Sequence, residues 1–340
     1  MRRKLIIHIG AHKTGSTSIQ KFFAIYSNYF ETHYNLVYPI ENQIGPKFGY
    51  WGHHYLSWYY TPPTDNLELG IFNNMNLAHD SFIKLISSSK SNILLSSEDF
   101  IWNIKIRGFI DDVKDKFDKI TVIMYVRRQV DVALSLYQTA VVNEGYTGSF
   151  QDWFKKANYM FDYFSILKKW EELGCKLIVK PYIREKIENG DIILDFLKTL
   201  GEILDREISP PEDYEPQSIK VNVSLPDFIT MMIRYYNSQP SKVKVVPILR
   251  ELGLKLIEIM PDLPKYDFVP PSVKKEIINT YKGSNKLLCE KYLGSEYLEW
   301  LNKDIEEDDK IYFERFGYPG AQLVELCKAV IKILETYYKT

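Results

Sequence analysis

The chain opens on KLIIHI at residues 4–9, a short run that is apolar apart from Lys4 and His8 and ends at Gly10. A run of this kind predicts a strand buried on both faces of a parallel sheet. After a loop from Gly10 to Gly15, apolar residues fall at Ile19, Phe22, Phe23 and Tyr26, a helical spacing with Ser16 or Thr17 near the start. NLVY at 35–38 predicts a second strand, closed by Pro39. NILLSS at 92–97 and ITVIMYV at 120–126 predict two more, each after an amphipathic helix, and KLIVKP at 176–181 a fifth. Strands alternating with helices predict a parallel sheet covered on both faces.

Past about residue 205 the pattern changes. Pro210, Pro211 and Pro216 mark one linker and Pro261, Pro264, Pro270 and Pro271 another. Helical periodicity follows at 225–237, 242–259, 272–293 and 320–338. The expected organisation is an α/β core over 1–205 and a helical C-terminal portion over 206–340, packed on it.

Composition narrows the class. Of 340 residues, 45% are apolar and 26% charged, as in ordinary soluble globular chains. A formal charge of −1 lacks the basic surplus of a general nucleic-acid binder. Cys175, Cys289 and Cys327 form neither a disulfide framework nor a zinc-ligand spacing. The basic start is followed by too short an apolar run for a signal peptide. No stretch reaches the roughly 18 apolar residues of a membrane span. The expectation is a cytoplasmic protein, with membrane-attached substrates within its reach.

The loop Gly10-Ala-His-Lys-Thr-Gly-Ser-Thr17 carries the chemistry. Between a strand and a helix, such a loop aims backbone N–H groups and a helix N-terminus at one point, which favours an anion. Lys13 adds a charge, and Thr14, Ser16 and Thr17 add hydroxyls. An ATP-type loop needs lysine directly after its second glycine, where this chain has Ser16, with Lys13 two residues before Gly15. The strand at 120–126 runs into Arg127 and Arg128 rather than a carboxylate for magnesium.

The stretch IIHIGAHKTGSTSIQKF resembles the 5′-phosphosulfate loop of sulfotransferases that use 3′-phosphoadenosine 5′-phosphosulfate (PAPS). The family's fold is three-layered and P-loop-kinase-like, a central parallel sheet flanked by helices. The resemblance implies that Lys13 contacts the phosphosulfate and that the loop residues His12, Thr14, Gly15, Ser16, Thr17 and Ser18 line the cofactor site. Many cytosolic members carry an adenine-stacking tryptophan where this chain has Ser18. The carbohydrate-modifying branch often lacks it, which directs the acceptor toward a saccharide. The family's 3′-phosphate site is a strand-end arginine with a serine eight positions on, here Arg127 and Ser135. The usual proline after the arginine pair is replaced by Gln129.

The reaction needs a group to take the acceptor's proton, and no metal is chemically required. Glu98, at the end of the strand NILLSS, and His54, in FGYWGHHYLSWYY, are the two candidate bases. Asp99 and His53 are their respective neighbours. Seven aromatics between Phe48 and Tyr60 suit either a sugar face or a helix packed on the core, its histidines at the surface. Lys220, Asn222 and Ser224 are further candidates for phosphate or adenine, against Ser224 as a helix cap with Asp227 as its box partner. The resemblance implies transfer of a sulfuryl group from PAPS to a hydroxyl. A nucleotide-dependent phosphotransferase, or a non-catalytic nucleotide or glycan binder, are the alternatives.

Overall fold

The computed structural model describes residues 3–40, 51–61, 69–102, 105–216, 225–239, 245–259, 266–267, 269–303 and 311–312. The chain forms two units, one made of 1–127, 162–220 and 284–298, the other of 128–161, 221–283 and 299–340. Their segments interleave along the chain rather than meeting at the single boundary expected after residue 205.

The first unit is α/β. Its sheet has β1 (Lys4–His8), β2 (Leu36–Val37), β3 (Asn92–Ser96), β4 (Lys119–Val126) and β5 (Lys176–Pro181), all parallel, in the order β2-β3-β1-β4-β5. The central strand β1 is apolar because both its faces are covered: Leu5, Ile6 and Ile7 are wholly buried. On one face lie α1 (Ser16–Ile25), α2 (Ser27–Tyr34) and α9 (Ile192–Leu204), where Ile19, Phe23, Phe30, Phe196 and Leu200 close over Ile6, Leu94 and Ile123. Fully burying a side chain of this size contributes about 1.5–3 kcal/mol.

The alternate residues Leu5, Ile7, Ile93 and Leu95 are equally buried and point the other way. α4 (Leu69–Ser88), α5 (Ile106–Val113) and α8 (Tyr163–Glu172) flank this side, with Phe82, Phe109 and Trp170 in ring contact. This is the three-layer, P-loop-kinase-like sheet expected. Between β2 and α4 sits the short helix α3 (His54–Tyr60).

Among its described residues the second unit is helical apart from one parallel two-residue ladder, β6 (Tyr266–Asp267) with β7 (Ile311–Tyr312), which the apolar pattern does not foretell. In it α6 (Gln129–Asn143) packs on α10 (Asp227–Asn237): Gln138 Nε2 donates to the Leu225 carbonyl and the Thr230 hydroxyl, and Asn237 Nδ2 to the Val141 carbonyl. α7 (Phe150–Ala157), a 3-10 turn at Asn158–Phe161 and α11 (Val246–Ile259) also lie there, and α12 (Pro271–Leu288) starts there. The expected helix at 320–338, the third cysteine and the candidates Lys220, Asn222 and Ser224 lie outside the described residues. α10 begins at Asp227 with Pro226 at its N-cap. Among the described residues Cys175 and Cys289 are buried free thiols. No described helix is long and apolar enough to cross a membrane.

Candidate active site

The sheet continues past β1 before the chain turns. Ile9 and Ala11 donate backbone hydrogen bonds to Ile123 and Tyr125, and Tyr125 donates to Gly10, so the loop leaves the sheet only at His12. Lys13 then adopts φ +61°, a left-handed conformation that costs a non-glycine residue about 1–3 kcal/mol and clusters at functional sites. Gly15, also left-handed, caps α1, and no side chain caps that helix. The amides of Thr14, Gly15, Ser16 and Thr17 donate to no acceptor among the described residues. Four such donors around a helix start can cradle an anion. The donor set fits a phosphate or phosphosulfate group.

The hydroxyls divide in two. Thr14 Oγ1 donates to the Ala11 carbonyl at 2.6 Å and Ser16 Oγ to the same carbonyl at 3.3 Å, so both brace the loop from within. Thr17 and Ser18 are exposed on the first turn of α1. Arg127, directly after β4, donates through Nη1 to the Lys13 carbonyl at 3.1 Å. It thereby holds the residue with the unusual φ from the neighbouring strand.

Two carboxylates stand at the end of β3, in a 3-10 turn over Glu98–Trp102. Glu98 presses on the loop: a Cβ on Gly10, where φ is +98°, would lie 3.1 Å from its Cβ. Its Oε2 accepts from Gln20 Nε2 at 2.7 Å. Asp99 faces away from that pair, toward α3. Its Oδ2 lies 2.8 Å from His54 Nδ1 and accepts from Trp58 Nε1 at 2.8 Å. Ser97 Oγ is 2.9 Å from the same His54 nitrogen.

The two adjacent histidines differ. His53 Nδ1 accepts from the Ser96 amide at 2.9 Å, and its Nε2 meets the Pro39 carbonyl at 3.1 Å, so the ring is a neutral tie between β3 and the segment after β2. Burial pushes its pKa down to about 4. Gly52 makes this approach possible, because a Cβ there would sit 2.9 Å from the Ser96 carbonyl oxygen and 2.7 Å from Gln20 Cδ. His54 goes the other way. Burial works to lower its pKa, but the hydrogen bond and charge of Asp99, with the charge of Glu98, outweigh burial and raise it. In Asp99 burial pushes upward and His54, His12 and Trp58 prevail, holding the carboxyl below its usual range.

No family model matches the chain. An uncharacterized protein of Archaeoglobus fulgidus is 28% identical over 231 residues, which are 66% of this chain and 58% of that relative. The chain thus spans less than two thirds of the relative's length. Among solved structures, a sulfotransferase from Alicyclobacillus acidocaldarius aligns at 16% identity and a TM-score of 0.41, covering 64% of this chain and 85% of its own.

Of the residues singled out in the sequence, the first unit brings together His12, Lys13, Thr14, Gly15, Ser16, Thr17, Ser18, His54, Glu98 and Arg127. Ser135 belongs to the second unit, half-buried on α6, where its carbonyl accepts from Thr139 Oγ1 at 3.0 Å. That helix starts at Gln129. Neither His53 nor His54 is at the surface. Tyr55 and Tyr60 are core residues and Tyr59 stacks on His79 at 3.9 Å, which leaves Trp51, 38% exposed, as the open ring of the described aromatics in that cluster. Gln20 and Trp58, which hold the two carboxylates, carry no motif that singles them out.

Proposed function

We propose that the protein transfers a sulfuryl group from PAPS to an acceptor hydroxyl, on a saccharide or glycan. The observation that carries this reading is the loop after β1. Four amides without acceptors and a left-handed Lys13, braced by Arg127 from the next strand, adjoin two carboxylates and a histidine at the end of β3. PAPS supplies an activated sulfuryl group and a phosphate as the leaving group.

The residues act on three places. The loop amides and Lys13 hold the 5′-phosphosulfate and neutralise the charge that builds on the departing phosphate oxygen. Arg127 presents a planar fork of donors suited to the 3′-phosphate. A base at the end of β3 accepts the hydroxyl proton as the acceptor oxygen bonds to sulfur and the sulfur–phosphate-oxygen bond breaks. The open ring of Trp51 suits a sugar face.

Ligand-induced stabilisation tests the reading directly. Thermal unfolding is followed with 3′-phosphoadenosine 5′-phosphate, with ADP, and with ADP plus magnesium. Stabilisation confined to the 3′-phosphorylated nucleotide is expected, near 2.7 kcal/mol at a hundredfold excess over Kd. Equal stabilisation by magnesium-ADP would replace sulfuryl transfer with phosphoryl transfer.

A further inference from the structure

We propose that Asp99 is the positioning residue of this site, fixing the His54 imidazole so that its Nε2 takes the acceptor's proton. The inference rests on the transfer reading and deepens it.

The argument starts from the helix. His54 opens α3 and Trp58 lies one turn on, so both side chains stand on one face. Both meet Oδ2 of Asp99, each at 2.8 Å: an imidazole nitrogen and an indole N–H. The Asp99 amide in turn donates to Ser97 Oγ at 3.2 Å. The carboxylate is therefore held by two groups of one helix and its backbone by Ser97, and the imidazole side chain is only 9% exposed.

A neutral imidazole carries one N–H. A carboxylate at Nδ1 draws that hydrogen to itself and makes Nε2 the lone-pair nitrogen. Ser97 lies against Nδ1 too, the nitrogen already turned to Asp99. A serine nucleophile must give its proton to the nitrogen opposite the carboxylate, so this constellation is not a hydrolase triad. Ser97 has a different use: its oxygen accepts from the Asp99 amide and lies 3.3 Å from Ser57 Oγ, locking the turn.

Glu98 is placed otherwise. Its Oε2 is occupied by the Gln20 amide and its Cβ leans on Gly10, so it belongs to the phosphate-loop side of the site. The charged and titratable groups facing His54 are Asp99 and Glu98 from the turn after β3, His12 from the loop and His53 from its own segment. The carboxylates favour the imidazolium, and they leave the ring basic enough to hold the proton it receives.

The test reads the ring before it reads turnover. In protein labelled with 15N-histidine, His54 should show the Nδ1–H tautomer and titrate above 6.5. Asp99→Asn removes the carboxylate's charge while its amide oxygen, turned to Trp58 Nε1, still accepts from Nδ1, so the titration of His54 should fall. An unchanged titration in Asp99→Asn, or an Nε2–H tautomer in the wild-type ring, would overturn the proposal. If Asp99→Asn does not fold, Trp58→Phe serves: losing one donor concentrates charge on Oδ2, so His54 should titrate higher, and no movement or a fall rejects the idea. Formation of 3′-phosphoadenosine 5′-phosphate from PAPS, over a panel of saccharide acceptors, is followed in parallel. Asp99→Asn should lower turnover by about 10²–10⁴-fold and shift the acid limb of the rate profile with the His54 titration. Wild-type rate and limb in Asp99→Asn would remove Asp99 from the mechanism while leaving the transfer reading standing. The expected ring behaviour with no product from wild type would instead sink the transfer reading and keep the pair as a base for another acceptor chemistry.

Discussion

Arg127 Nη1 sits 3.1 Å from the carbonyl oxygen of Lys13, so the strand-end arginine and the loop lysine are mechanically joined across neighbouring strands. The guanidinium spends one donor on the loop and keeps others in its fork.

Arg127→Ala should therefore do two things. Affinity for 3′-phosphoadenosine 5′-phosphate should drop by the worth of a charged partner, about 1.5–3 kcal/mol, and affinity for the dephospho analogue should fall less. Calorimetric titration of both nucleotides into both proteins gives the ratio. An unchanged ratio removes Arg127 from the 3′-phosphate and directs attention to Arg128.

Lys13→Ala should lower turnover at saturating donor by about 10²–10³-fold, the usual worth of one donor aimed at developing charge. Near wild-type turnover would mean the cradle binds an anion without serving the reaction.

Gly10→Ala joins a backbone penalty to a steric one. A side chain at φ +98° costs about 1–3 kcal/mol, and the new Cβ meets Glu98 Cβ at 3.1 Å. The expected outcome is a lower Tm together with a disturbed Gln20–Glu98 pair. Chemical denaturation and the Gln20 side-chain amide signals check both, and a Tm equal to wild type would contradict the close approach.

Stability should fall as the solution is acidified from neutrality. Burial holds His8 and His53 near 4 in the folded chain, against about 6.5 unfolded. Between those values the unfolded chain binds protons that the folded chain refuses, so each histidine removes up to about 1.4 kcal/mol per pH unit. His54 acts in the opposite sense, since its raised pKa favours the folded state once the ring is protonated and that contribution is lost as pH rises. Urea unfolding at pH 7, 6 and 5 should show a net decline, and His8→Asn should flatten it. Equal slopes for the two proteins would show that His8 is not held neutral.

The strands and the glycine-bounded turn after β1 are legible because their signals are local. Five apolar runs sit where β1 to β5 form, Lys13 and Gly15 stand two residues apart just after the first, and Arg127 directly follows the fourth. The base assembly is not. His54 and Asp99 are 45 residues apart and Gln20 and Glu98 are 78 apart, so nothing in either segment shows which carboxylate meets which partner. The run of rings around Trp58 also reads alike whether a ring is core, as Tyr55 and Tyr60 are, or open, as Trp51 is. The interleaving of the two units is not legible, because a proline-marked change of texture records linkers, not the unit to which each segment returns.

The position of β1 in the sheet also decides when the site comes into being. Its flanking partners are Ile93 to Ser96 on one side and Lys119 to Ile123 on the other. A nascent chain of ninety residues would contain every letter of the anion loop yet neither strand that shapes it. Closing such long chain loops is the slow, entropically costly part of assembly. On the proposed reading, fragments that stop before β4 should be blind to the nucleotide, and the ability should arrive only once β5 and α9 have closed the sheet over α1.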